Sequence, residues 1–249
     1  MLQKRIVAIV LMICIGLLLA GCTLDPRNMP EVSPDNGFWD RYLVYPLYVS
    51  LDWFAELLFN NYGLGILAVT IIIRLLILPL TIKQLKSSKA MQALQPEMQK
   101  LREKFKDNQQ KMQEEMMKLF QKHNVNPMSG CLPLLVQMPI LIAFYQAIMR
   151  NDHIREASFL WLQLGSPDGF YILPIVAALT TYLQQKMMGA NLNPQMKMMM
   201  TIMPVMILFI AMTLPSALAL YWVYGNLFTI VQSYFLRDMY RASRGEATK

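Results

Sequence analysis

Leu64-Gly65-Ile66-Leu67-Ala68-Val69-Thr70-Ile71-Ile72-Ile73-Arg74-Leu75-Leu76-Ile77-Leu78-Pro79-Leu80 carries one charge, Arg74, in an otherwise apolar run. With its flanks the run is long enough to cross a bilayer core as a helix, which takes roughly 17–25 residues. An arginine near the middle of such a helix costs on the order of 2.5–3.5 kcal/mol on insertion scales, so it is not expected to face lipid. Two placements remain. Arg74 snorkels towards the cytoplasmic end, or it stands in a buried, water-filled cavity open to the cytoplasm.

The rest of the chain fits a membrane setting. Apolar residues make up 55% of the sequence and charged residues 16%, and the mean hydropathy is positive, a balance unlike that of an ordinary soluble domain. The expected fold is an all-α integral membrane protein. Its five spans are 61–82, 131–150, 170–187, 198–214 and 215–236. The last two nearly abut at Leu214-Pro215-Ser216 and are predicted to form a tight helical hairpin.

Basic residues orient the spans. Lys83 to Asn126 carries ten Lys/Arg, whereas 151–169 carries only Arg155. Lys186 and Lys197 flank the 188–197 loop, and Arg237, Arg241, Arg244 and Lys249 lie in the 237–249 tail. All basic-rich segments share one side if the mature N-terminus is outside and the C-terminus cytoplasmic.

Segment 1–21 reads as a lipoprotein signal peptide, with Lys4 and Arg5 before a short apolar stretch. Leu19-Ala20-Gly21-Cys22 resembles a bacterial lipobox, which implies cleavage before Cys22. It also implies a covalent diacylglycerol and a fatty acid on that residue, two chains being enough for stable anchoring. No other cofactor is expected, and no Cys/His cluster is spaced for a metal. Segment 22–60 reads as an external linker followed by an interfacial helix. There Trp39, Tyr42, Tyr45, Tyr48, Trp53 and Phe54 alternate with Asp40, Arg41, Asp52 and Glu56.

Segment 83–130 is the largest soluble piece. Met91, Leu94, Met98, Leu101 and Phe105 form one apolar stripe, and Met112, Met116, Leu119 and Phe120 form another beyond Asp107-Asn108-Gln109-Gln110. Two antiparallel helices pairing these stripes are predicted. Their net positive charge suits anionic headgroups or ribosomal RNA, and equally follows from the positive-inside rule alone.

Other spans can complete a polar cavity around Arg74. Thr70 lies one turn before it on the same face. Thr181 and Gln185, like Thr180 and Gln184, are four apart in the third span; Trp222, Asn226, Thr229 and Ser233 form a polar stripe in the fifth. Gln137 and Gln146 are nine apart, on opposite faces of the second span, so only one of them can line a shared groove. No acidic residue occupies a span core, which leaves Arg74 without a carboxylate partner.

Arg74 in Ile-Arg-Leu-Leu-Ile-Leu-Pro-Leu, Ser87-Ser88-Lys89-Ala90-Met91-Gln92-Ala93-Leu94-Gln95-Pro96-Glu97, Asn126-Pro127, Gly130-Cys131-Leu132-Pro133, Gln137-Met138-Pro139-Ile140 and Leu220-Tyr221-Trp222-Val223-Tyr224-Gly225-Asn226-Leu227 together resemble the YidC/Oxa/Albino family of membrane protein insertases. The lipobox and the absence of a large external domain resemble its Gram-positive branch. The resemblance implies a hydrophilic groove around Arg74, open to the cytoplasm and to lipid but sealed outside. Such a groove would draw in a client's polar tail while the client's apolar segment slides along the first, third and fifth spans. By the same resemblance Thr70 and Trp222 contact the client, Asn226 belongs to the groove, and either Gln184 or Gln185 supplies a polar groove position. The implied partners are nascent membrane-protein clients and membrane lipids, with the Sec translocon and the translating ribosome as further candidates; nothing points to DNA. The tail is shorter and less basic than in long-tailed members.

Rival classes are weaker. A small-solute transporter calls for intramembrane carboxylates and inverted repeats. An enzyme calls for a nucleophile paired with a base inside a span. The sequence offers none of these, so no enzymatic activity is expected. An assembly chaperone without translocation activity is the remaining alternative.

Overall fold

The structure is a computed structural model and describes residues 30–123, 125, 132–187 and 194–246. Cys22 and segment 1–21 lie outside the described residues, as do Asn126-Pro127, Gly130-Cys131 and most of the 188–197 loop. The described chain is almost entirely helical, with one two-stranded hairpin.

A π-helical turn, Asp40–Val44, leads into α1, Tyr45–Leu57. The chain then reverses through Phe59 and Asn60, both with positive φ (61° and 57°). It enters α2, Tyr62–Leu76, whose N-cap Asn61 side chain accepts from the Leu64 amide at 3.1 Å. This cap satisfies an amide that a helix start otherwise leaves unpaired. α1 folds back on α2, burying Leu51 and Ala55 beside Ile66 and Val69.

The stretch expected as the first span is bent in the structure. The helix breaks at Ile77, and α3, Leu78–Ala93, leaves at an angle, the α2 to Ser87 path bending by 58°. Pro79 supplies the reason, because it has no N–H to donate and its ring would clash with the Leu75 carbonyl in a continuous helix. The chain turns again at Leu94 into α4, Gln95–Lys104, with Pro96 in its first turn. α5, Gln109–Lys122, returns antiparallel, N-capped by Asn108. Leu94, Met98, Leu119 and Phe120 form the core of this hairpin, with Met91, Leu101 and Met116 against it. The predicted stripes thus meet in part: the first is divided by the Leu94 turn, and Phe105 and Met112 lie outside this core.

α6, Leu132–Met149, is followed by a segment with secondary structure of its own. That segment comprises α7, Asp152–Glu156, and the antiparallel strands β1, Ser158–Phe159, and β2, Leu162–Gln163. α8, Ile172–Met187, α9, Pro194–Thr213, and α10, Ser216–Glu246, complete the chain. α9 and α10 meet at Leu214-Pro215 as expected, yet the tight pair is corrected: α9 packs mainly on α8 and only weakly on α10. α10 instead packs on α8 and α2.

Phe144, Ile148, Leu173, Ala177, Ala217 and Tyr221 sit in the central core with Ile66 and Val69. Tyr221 stacks on Phe144 with ring centroids 4.3 Å apart. Alanines at these contacts let helices approach closely, which matters where van der Waals packing rather than water exclusion holds helices together. Among the described residues no single helix is long and apolar enough to cross a membrane. The bent pair of α2 and the start of α3 passes together, and Val136–Met149 and Thr201–Thr213 are shorter apolar helices.

Candidate functional site

Arg74 projects from the last turn of α2 against α10. It is half-buried, and its Nε is fully buried with no hydrogen-bond partner. Among the described residues its guanidinium makes no hydrogen bond or ion pair, in line with the absence of span carboxylates. It approaches α10 closely at Gly225. A β-carbon built there would overlap Nη2 and lie 3.2 Å from Cζ and 3.3 Å from Nε. One turn earlier on α10, the buried Tyr221 lies close enough to Arg74 for the two to interact electrostatically.

The polar stripe of α10 meets α8. Asn226 Nδ2 donates to Thr180 Oγ1 at 3.1 Å and to Thr181 Oγ1 at 2.9 Å, and Trp222 Nε1 donates to Thr181 Oγ1 at 3.2 Å. The two threonine hydroxyls donate in turn to carbonyls of their own helix, at Val176 and Ala177. Thr229 Oγ1 donates to the Gly225 carbonyl at 2.8 Å. Thr70 is fully buried and donates to the Ile66 carbonyl at 2.6 Å, so its hydroxyl serves its own helix.

The structure separates the two second-span glutamines. Gln137 Nε2 donates to the Tyr221 hydroxyl at 2.8 Å, which joins it to the Arg74 neighbourhood. Gln146 Oε1 accepts from Trp39 Nε1 at 2.9 Å at the other end of α6. Gln184 and Gln185 are both half-buried, and neither makes a hydrogen bond to a described residue that would distinguish them. Trp222 and Asn226 therefore bind α8, and Arg74 meets α10 at Gly225, the residue before Asn226, while the glutamine pair stays undivided.

Sequence reasoning missed three contributors, Gly225, Tyr221 and Gln232, whereas Ser233 was already part of the polar stripe. Gly225 and Tyr221 appear within a quoted motif but have no role there. Gln232 Nε2 and Ser233 Oγ, further along α10, are buried without partners. Gln232 follows Gly225 by seven residues and Thr229 by three, a spacing that puts all three on one helical face.

The end of the bundle opposite the α4–α5 hairpin is closed by the 151–169 segment. Ser166 O accepts from the Ser216 amide at 2.8 Å and from its hydroxyl at 2.7 Å, and Leu164 O accepts from the Ala217 amide at 3.0 Å. Buried Asp168 accepts from the amides of Phe170 and Leu173 at 3.0 and 2.7 Å. Three amides at the starts of α8 and α10, those of Leu173, Ser216 and Ala217, thereby find partners within the protein. A cavity of about 470 Å³ is lined by Asp52, Glu56, Asn60, Tyr62, His153, Glu156 and Ala157. No group of three metal-binding side chains occurs among the described residues.

Comparison with known proteins places this arrangement. The family model described as 60Kd inner membrane protein matches residues 53–243. The membrane protein insertase MisCA of Bacillus subtilis is 56% identical over 244 residues, covering 95% of this chain and 93% of the relative. Membrane protein insertase YidC 1 of Halalkalibacterium halodurans is 57% identical over 230 residues, covering 91% and 88%. A solved structure of an active YidC insertase matches with a TM-score of 0.67 at 29% identity, covering 80% of this chain and 47% of that one. The helical arrangement around Arg74 and these matches along most of the sequence lead to one conclusion: the chain belongs to the 60Kd inner membrane protein family, that of the YidC insertases.

Proposed function

We propose that this chain inserts proteins into a bacterial membrane by giving a client's polar tail a partly hydrated path past Arg74. The observation that carries the reading is an arginine with no ion-pair partner among the described residues, set on α2 against α10 beside a polar α8–α10 contact. A translocating tail must take unsatisfied polar groups past hydrocarbon, at several kcal/mol each. A groove open on one side shortens that path without making a pore. A fixed positive charge attracts acidic residues of the tail, more strongly where the surroundings are less polar than water.

Five crossings are proposed: the bent α2–α3 pair, α6, α8, α9 and α10. This assignment is supported by apolar side chains left exposed at helical spacing, such as Ile175, Leu179 and Tyr182 on α8 and Ile202, Val205 and Phe209 on α9. So large an exposed apolar surface is costly in water and at home in lipid. The 20 residues of α9 make a helix of about 30 Å, the thickness of a hydrocarbon core. The basic-residue distribution puts the α4–α5 hairpin in the cytoplasm and the 151–169 cap outside. On this reading the cap seals the groove externally, Cys22 carries the lipid anchor, and Trp222 flanks the client path. Clients are nascent membrane proteins, and ribosome and Sec contacts are proposed partners.

Insertion of two single-span reporters, one with an acidic and one with a neutral external tail, tests the reading in growth complementation. Arg74→Lys should keep much of the activity because the charge remains. Arg74→Ala and Arg74→Glu should lose the acidic-tailed reporter and largely spare the neutral one. Normal insertion of both reporters by Arg74→Ala would make the arginine a snorkelling anchor and overturn the electrostatic mechanism.

A further inference from the structure

We propose that Gly225 is a positioning residue for Arg74, its missing side chain being the seat on which the guanidinium rests. The proposal builds on the groove-charge reading above and adds what fixes the charge in place.

Gly225 stands within the 31-residue helix α10 and not at a turn. A glycine inside a helix costs about 1 kcal/mol relative to alanine, so helix formation gives no reason for it. The contact on its Cα side does. A β-carbon there would overlap Arg74 Nη2 and come within 3.2 Å of Cζ and 3.3 Å of Nε. These three atoms belong to the planar fork, so an added methyl displaces the whole charged group.

Nothing else among the described residues holds the fork. Among the described residues it has no hydrogen bond or ion pair, and Tyr221 acts on it only through space. A hydrogen-bonded arginine would keep its direction after a small steric push. This one is held by the shapes of the two helices, chiefly by the groove that Gly225 leaves in α10. The Gly225 carbonyl already accepts from Thr229 Oγ1 on the same helix. The residue thus contributes clearance to the guanidinium, and its carbonyl keeps a partner within α10.

The chemistry of lysine makes the idea separable from general packing. A lysine Nζ falls about where arginine has Cζ, and lysine has no counterpart to Nη2. The overlap with Nη2 created by Gly225→Ala is therefore present with Arg74 and absent in an Arg74→Lys background, where the remaining approaches, of 3.2 and 3.3 Å, yield to shifts of a few tenths of an ångström in a flexible side chain. Residues in direct contact commonly show such coupling, whereas independent ones add.

The experiment is a double-substitution cycle in the full chain, comparing the parent, Gly225→Ala, Arg74→Lys and the double variant. Each is assayed with the acidic-tailed and neutral-tailed reporters, and each purified protein is melted in detergent. Misplacing a positioned group by ~1 Å can cost on the order of a hundredfold in an enzyme. For a hydrated charge acting over a longer range we expect about a tenfold loss with the acidic-tailed reporter. The neutral-tailed reporter should change by less than about twofold, and the Tm should hold or rise, since alanine favours the helix. Adding Gly225→Ala to Arg74→Lys should cost little.

Undiminished insertion of the acidic-tailed reporter by Gly225→Ala overturns the proposal. So does an equal loss with both reporters, or an equal loss in the Arg74 and Arg74→Lys backgrounds, each of which would mark ordinary helix packing. If Gly225→Ala does not accumulate, the double variant must, because it lacks the overlap; its failure also overturns the proposal. A silent Arg74→Ala is a distinct result, which removes the groove-charge reading itself.

Discussion

Arg150 donates to both carboxylate oxygens of Asp40, at 2.9 and 2.6 Å, with both side chains almost fully buried. The same guanidinium donates to the carbonyls of Pro30 and Glu31. One residue past the end of α6 therefore ties down the linker and the entry to α1, and Trp39 adds its bond to Gln146. Burial opposes the ionised Asp40 carboxyl, but hydrogen bonds from Arg150 and Asn36 and the Arg150 charge outweigh it and hold the group below its ordinary value.

The sign of the pH effect follows. A carboxyl depressed in the folded state adds stability above its unfolded pKa of about 3.9, and that stability is lost as pH falls through the folded value. The parent's Tm in detergent should therefore drop below about pH 4. Asp40→Ala should lower the Tm at neutral pH, with a loss on the order of 3 kcal/mol for leaving a buried charge unpaired. It should also flatten the acid limb. A parallel acid limb in parent and variant would assign the pH dependence to other groups.

Asn226 joins α8 to α10 through two threonine hydroxyls. Asn226→Ala leaves those hydroxyls bonded to their own helix carbonyls, so the loss should be moderate, about 1–2 kcal/mol. Thermal melts of Asn226→Ala and of Thr180→Ala/Thr181→Ala, alone and combined, check it. Fully additive losses would show that the side chains do not act as a unit.

The α4–α5 hairpin has a core of its own, separate from the main one. Phe120→Ala should open it locally, at a cost of about 3 kcal/mol for a large-to-small core change, and leave the helical bundle intact. Hydrogen exchange should lose protection over 95–122 alone. Exchange that rises equally in α8 and α10 would couple the hairpin to the bundle. Clean deletion of the hairpin should impair insertion.

Cys22→Ala should abolish palmitate incorporation and leave the precursor uncleaved, while the helices still insert by their own hydropathy. Labelling with radioactive palmitate decides it, and undiminished label in the variant would remove the lipid-anchor proposal.

Several elements are legible in the order of residues alone. The hairpin stripes, the break at Leu214-Pro215 and the helix within 22–60 follow from local periodicity and turn chemistry, which neighbours in sequence control. The bend at Ile77 is foreshadowed by Pro79, although span length alone argues for a continuous helix. The fold of 151–169 is less legible, because Ser166 meets Ser216 across 50 residues.

What the sequence by itself determined is the set of apolar runs, their basic flanks and one arginine that no span carboxylate can neutralise. These are properties of composition and spacing, present whatever the helices do. Only the tertiary structure decided that Gln137 faces Tyr221 while Gln146 faces Trp39, and that Asn226 spans two threonines. It alone revealed Gly225 as the seat of Arg74. A helical period says which residues share a face. It does not set how far each helix is rotated and slid against its neighbours, and that rigid-body placement, governed by packing, decides which polar groups meet.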